Sequence, residues 1–174
     1  MTIERIIIGP LMSNCYLIGK DNKYLLIDPG EDYNKIKDFI SGKKVIGIII
    51  THSHYDHTAS ASKLNQEFGI DIYSSKNFNE GINKIDNFIF EVIYTLGHTM
   101  DSICIYFKEN KVMFTGDFLF KRSIGRYDFP ESTFFEMIKS IDKIKKYPSD
   151  ITIYPGHGDY TTLKEEKKYN EFLK

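Results

Sequence analysis

Residues 45–60 read VIGIIITHSHYDHTAS, an apolar run that breaks into three histidines and an aspartate. The chain has only five histidines, and three of them, His52, His54 and His57, fall within six residues. A fully apolar run of this length reads as a strand buried on both faces. Alternation along a strand sends residues i and i+2 to the same side, so His52 and His54 can reach one point. Asp56 and His57 follow where the chain should turn into a helix, and face a second point nearby. Imidazole nitrogens with one hard carboxylate suit zinc, iron or manganese. A single surface histidine beside a helix-capping aspartate would be unremarkable; four ligand-type residues in an HxHxDH pattern are not.

The other two histidines have the same setting. His98 lies in TLGHTMDS after the apolar run FIFEVIYT, and His157 lies in YPGHGD after DITIY. Asp117 lies in TGDFLF after KVMF. Each follows an apolar strand and adjoins a glycine turn. Ligands commonly bind in the crevice outside strand ends, where glycine lets backbone approach closely.

The rest of the chain is a series of short elements punctuated by Asp, Asn, Gly and Pro. ERIIIGP, NCYLIGK and YLLIDPG read as strands, as do DIYSS, FIFEVIYT, SICIYF, KVMFTG and DITIYPG. The pair Glu109–Asn110 is expected to turn a hairpin between the sixth and seventh of these. Residues 31–42, 59–69 and 133–147 carry helical periodicity. Thr133 with Glu136, and Thr162 with Glu165, have the spacing that opens a helix with reciprocal hydrogen bonds. Strands alternating with helices, hairpins among them, predict an α/β sandwich of mixed sheets.

Composition narrows the function. At 174 residues, one domain is expected. Apolar residues are 41% and charged residues 27%, with net charge −1. That balance implies no general attraction to nucleic acid or to an anionic membrane. The apolar runs are far too short to span a bilayer, and MTIERIIIGP has no signal-peptide pattern. Cys15 and Cys104 have no CxxC spacing, and reduced thiols in the cytoplasm are expected. No GxSxG elbow supports a serine hydrolase.

Taken together, THSHYDH, LGHT, GD and PGHG resemble, in order, the motifs of the metallo-β-lactamase superfamily. The resemblance covers nearly the whole chain; Leu96 stands where the family usually has proline. It implies a four-layer αββα sandwich with metals at the sheet edge. By motif, His52, His54 and His98 would hold a first ion, and Asp56, His57 and His157 a second. Asp117 would bridge them, with Asp56 and Asp117 as the catalytic carboxylates. Two divalent ions are implied, zinc foremost, iron or manganese also suited. A hydroxide bridging such ions attacks an ester, thioester or lactone carbonyl.

Asp117 stands where lactamases with a cysteine ligand carry that cysteine. GDFLFKRSIGRYDFP and YPGHGDYTTLKEEKKYN resemble stretches of small glyoxalase II-like proteins, which implies a thioesterase acting on hydroxyacylglutathione or a similar small thioester. Larger proteins of that group add a helical extension that helps hold glutathione; here 17 residues follow His157. A similar G-x-G-R-x-D-F stretch occurs in persulfide dioxygenases, where His52, His98 and Asp117 would hold a single iron. A metal-stabilised binding protein is the third reading.

Asp28, at the end of LLID, is a candidate to orient a ligand imidazole, with a simple turn before Pro-Gly as the alternative. Arg126 is the candidate to bind a substrate anion, with an ion pair to Asp128 as its alternative. Lys121, Arg122, Tyr127 and Tyr160 are weaker candidates for the pocket wall, and read more simply as solvated surface.

Overall fold

The computed structural model describes residues 1–130 and 132–174. One sheet takes its strands in chain order, β1 (Thr2–Ile8), β2 (Ser13–Lys20), β3 (Lys23–Ile27), β4 (Val45–Ile49) and β5 (Ile72–Tyr73). The first three pair antiparallel, while β3, β4 and β5 run parallel. The second sheet is built from β6 (Gly81–Ile85), β7 (Phe88–Tyr94), β8 (Ile103–Phe107), β9 (Val112–Gly116), β12 (Thr152–Pro155) and β13 (Thr161–Thr162). Its order is β13-β12-β9-β8-β7-β6, antiparallel except between β9 and β12. A small hairpin of β10 (Leu119–Phe120) and β11 (Ser123–Ile124) stands apart from both.

The helices are α1 (Tyr33–Phe39), α2 (Tyr55–Thr58), α3 (Ala61–Phe68), α4 (Phe134–Ile144) and α5 (Leu163–Tyr169). Alternation along the strands sorts the apolar side chains into three layers. On β2, Tyr16 and Ile18 face Phe90, Val92, Ile105 and Phe114 of the other sheet. Cys15 and Leu17, on the opposite side of the same strand, pack with Ile36 of α1 and Leu64 of α3. Behind the second sheet, Cys104, Met113 and Ile153 meet Met137 and Ile141 of α4 and Leu163 of α5. Helices, sheet, sheet, helices is the four-layer sandwich expected, and β4 is covered on both faces, as its unbroken apolar run requires.

Several local features differ from the sequence reading. The loop between β8 and β9 is a 3-10 turn, Lys108–Asn110, closed by Lys111 in the left-handed region (φ 54°), instead of a two-residue turn. The helix expected over 59–69 begins at Ala61, because the single turn α2 intervenes. Thr162 caps α5 by accepting from the Glu165 amide at 3.2 Å. Thr133 occupies the equivalent position before α4, but its side chain makes no capping bond. No helix among the described residues is long and apolar enough to cross a membrane.

Candidate metal centre

Four strand ends converge at one edge of the sandwich: β4 delivers His52 and His54, β7 His98, β9 Asp117 and β12 His157. The two sheets are tied there by an Ile103 amide bond to the Thr51 carbonyl at 2.9 Å and by a lone β-bridge between Ser13 and His157. His54 starts α2 in extended conformation (φ −62°, ψ 144°), and the next turn presents Asp56 and His57 to the cluster.

All seven residues expected from the sequence come together. The donor atoms of His52, His54 and His98 lie within 4.8 Å of one another, and so do those of Asp56, His57 and His157. Asp117 lies between the two trios. Its Oδ2 is 3.6 Å from His98 Nε2, 4.0 Å from His52 Nε2 and 3.3 Å from His157 Nε2. Its Oδ1 is 3.3 Å from His57 Nε2. Glycine makes this crowding possible: a Cβ on Gly156 would lie 2.1 Å from Asp117 Oδ1.

The far sides of the rings are held by oriented partners. The Arg126 carbonyl accepts from His98 Nδ1 at 2.7 Å and the Leu11 carbonyl from His157 Nδ1 at 3.1 Å. Asp28, buried, accepts from the Thr51 amide at 2.8 Å and hydroxyl at 2.6 Å, and faces His57 Nδ1 at 3.2 Å. With its hydrogen given to Asp28, the Thr51 hydroxyl accepts from His52 Nδ1 at 3.1 Å. Asp28 also falls within a trio with His52 and His57. Its oxygens are committed to Thr51 and His57, so of its two sequence readings the contacts match a carboxylate placed to orient the His57 imidazole.

The donor set fits divalent cations. His52 Nε2 and Asp117 Oδ1 are buried and have no hydrogen-bond partner among the described residues, an arrangement that costs free energy unless a ligand answers it. Burial, and then the neighbouring His57, hold the His52 imidazole well below its ordinary range. Burial pulls His157 down as well, but the Asp117 and Asp56 carboxylates outweigh it and push its pKa up to about 9. Burial also opposes charge on His57, yet the Asp117, Asp28 and Asp56 carboxylates beside it hold it above its usual value. The carboxylates around His57 and His157 thus stabilise positive charge there, which a metal cation would supply in place of the protons.

Above the cluster opens a cavity of about 470 Å³, walled by Leu11, Tyr55, Phe120 and Phe129. These apolar walls were not singled out by sequence, although FLF and YDF flank the motif residues. Phe129 sits edge-on to both His54 and His98, with ring centroids 5.6 and 5.8 Å away. Arg126 reaches the same rim. Its guanidinium pairs bidentately with Asp128, at 2.9 and 3.0 Å, and lies 4.2 Å from the Phe129 ring. The ion pair anticipated as its alternative role therefore forms, at the mouth of the cavity.

Lys121, Arg122, Tyr127 and Tyr160 are not among the cavity's lining residues. Arg122 instead pairs with Glu165 at 3.0 Å. A second concavity, about 390 Å³ and lined by Lys37, Lys43, Lys44 and Phe68, contains no histidine or carboxylate, so it is not the metal site.

Fold and donor set together define a metal-dependent hydrolase, and comparison supplies the family. The metallo-beta-lactamase superfamily profile matches residues 8–79 and 78–157, and the chain belongs to that superfamily. It is 36% identical to a Haemophilus influenzae protein named hydroxyacylglutathione hydrolase GloC, over 99% of this chain and 98% of that one. Among solved structures, the BLEG-1 B3 metallo-beta-lactamase superposes with a TM-score of 0.93 at 27% identity, covering 99% of both chains. TTHA1623, solved in a di-iron-bound form, gives 0.89 at 26% identity, covering 98% of this chain and all of that one.

Proposed function

We propose that this protein is a thioesterase that hydrolyses hydroxyacylglutathione or a similar small thioester. The observation that carries the proposal is Asp117 between two donor trios at the floor of a cavity with apolar walls and an arginine on its rim. The name of the Haemophilus relative supports the same substrate class.

In this reading His52, His54 and His98 hold one ion, Asp56, His57 and His157 a second, and Asp117 both. Zinc is the first choice, with iron or manganese also suited to nitrogen and carboxylate donors. Two such ions supply a hydroxide nucleophile near neutral pH and polarise the scissile carbonyl. The protein's own residues do the rest. Asp28 and the Arg126 carbonyl keep His57 and His98 aimed inward. Leu11, Tyr55 and Phe129 exclude water around the acyl group, and the Arg126 guanidinium engages a carboxylate of the thiol portion. Neither cysteine competes as nucleophile, because both are buried, and burial raises the thiol pKa of each. Two buried free thiols suit a reducing compartment, and we place the protein in the cytoplasm.

Persulfide oxidation at a single iron is the second reading, favoured by the approach of His52 and His98 to Asp117 within 4.0 Å. Metal analysis of the purified protein, run beside three assays, separates the alternatives. Thioester hydrolysis with two ions bound is the expected result. Oxygen uptake with glutathione persulfide and one iron would replace it, and opening of a β-lactam would redirect the substrate class toward that of BLEG-1. Bound metal with no activity in any assay would leave a binding protein.

A further inference from the structure

Apart from Asp28, which faces His57 and also holds Thr51 beside His52, the two donor trios are held by different parts of the molecule. His52 and His98 take their orienting bonds from Thr51 and from the Arg126 carbonyl. The second trio depends on the start of β2. Ser13, buried, donates its hydroxyl to Asp56 Oδ2 at 2.7 Å. That oxygen also lies 3.2 Å from His57 Nε2 and 3.2 Å from His157 Nε2, so it faces the centre of the trio. The backbone of Ser13 forms the bridge to His157, and the adjacent Asn14 amide bonds the Gly156 carbonyl at 2.7 Å. One residue therefore touches the second trio twice, once through a side chain and once through the main chain.

A carboxylate oxygen has two lone pairs. Ser13 occupies one and leaves the other directed between His57 and His157. Without the hydroxyl, Asp56 Oδ2 keeps only His57 and His157 as polar neighbours, and the carboxylate, whose terminal torsion is intrinsically broad, is held less firmly. We propose that Ser13 is a positioning residue for the second metal ion, setting the affinity of the Asp56, His57 and His157 trio without setting that of His52, His54 and His98. Loss of a partner that orients a ligand typically weakens metal binding about 10- to 100-fold. The chain would then convert from two ions to one at limiting metal through a single hydroxyl.

The inference rests on the metal assignment above, and calorimetric titration of metal-free protein with Zn²⁺ tests the two separately. Wild type should take up two ions. Ser13→Ala should retain one site at its original affinity and lose roughly 10- to 100-fold at the other. Ser13→Thr, which keeps the hydroxyl in a strand position, should restore most of that loss. Thermal melts of the metal-free variants serve as the control on folding, since only the hydroxyl is removed in Ser13→Ala. Two undiminished sites in Ser13→Ala, equal weakening of both, or no recovery in Ser13→Thr would overturn the role of Ser13. No uptake by wild type would instead overturn the metal assignment itself.

Discussion

At the residue scale, Asp117 and Arg126 separate metal chemistry from substrate choice. Asp117 faces both trios, so its removal affects both ions at once. Lewis-acid stabilisation by such a site is worth several kcal/mol. A loss of about 4 kcal/mol corresponds to roughly a 10³-fold lower rate, and Asp117→Ala should show at least that, with lower metal content and an unchanged circular dichroism spectrum. Full turnover in Asp117→Ala would remove it from the bridging position. Arg126 should behave otherwise. A hydrogen bond to a charged group contributes about 1.5–3 kcal/mol, which sets a ceiling near 10- to 150-fold on its contribution to kcat/KM. Asp128 already pairs with Arg126 on the exposed rim, so part of that gain is offset when substrate takes Asp128's place. Arg126→Ala should therefore raise KM for hydroxyacylglutathione about 10-fold, leave kcat nearly unchanged, and spare a neutral thioester. Equal losses on both substrates would mark the arginine as structural. The candidate donors were legible in the sequence because His52, His54 and His57 cluster after one apolar run, while His98, Asp117 and His157 each follow an apolar run and adjoin a glycine. The partners that aim them were less so. The Leu11 carbonyl lies 146 positions from His157 and the Ser13 hydroxyl 43 from Asp56, and no local pattern encodes such pairs.

At the scale of elements, long apolar strands were readable and short polar ones were not. GINKI, which forms β6, alternates weakly and gains its strand geometry from pairing with β7 through an Asp86–Asn87 turn. The hairpin of β10 and β11 has only two residues a side and is held from outside. Its clamp is the TTLKEEKKYN segment, whose spacing now has a physical account. Glu166, fully buried, accepts through its carboxylate from the Thr161 hydroxyl at 2.6 Å, the Arg122 backbone amide at 2.7 Å and the Asn170 side-chain Nδ2 at 3.0 Å. Asn170 also donates to the Ser123 carbonyl at 3.0 Å. These bonds fix the hairpin turn, where Arg122 sits in the left-handed region (φ 66°), and the chain runs on from there to Arg126. Glu166→Ala leaves three donors without this acceptor, two of them on the buried residues Thr161 and Asn170. Even partial relaxation leaves a cost of about 3 kcal/mol, so the melting temperature should fall by roughly 6–12 °C. A melt within about 2 °C of wild type would show that solvent replaces the carboxylate without penalty. The same variant should raise KM, because the segment bearing Arg126 loses its anchor, and should lower kcat as well, because the Arg126 carbonyl also orients His98.

At the scale of the whole molecule, the three apolar layers lie between and behind the sheets, while the donor cluster occupies one edge. Burial of each large apolar side chain contributes about 1.5–3 kcal/mol and none of the three layers includes the donor cluster, so the sandwich is expected to fold without metal. Removing the ions with a chelator should therefore lower the melting temperature without abolishing cooperative unfolding. A site filled at 100 times its dissociation constant adds about 2.7 kcal/mol, or roughly 5–10 °C in a chain of this size. That increment should depend on pH in a defined direction. In the metal-free protein the raised pKa values of His57 and His157 stabilise the fold fully below the unfolded-state value of about 6.5. The His157 contribution is lost as pH rises through its folded value, near 9. The depressed pKa values of Asp56 and Asp117 contribute above about pH 4 and are lost on acidification. Metal must displace the protons on both imidazoles, so its affinity climbs with pH over the window in which the metal-free protein loses the His157 contribution. The melting-temperature gap between metal-loaded and chelated protein should widen steadily from pH 6 to pH 9, with proton release on titration in weak buffer. A gap that stayed constant across that range, or narrowed, would mean that the ions bind without drawing on the imidazoles of the second trio.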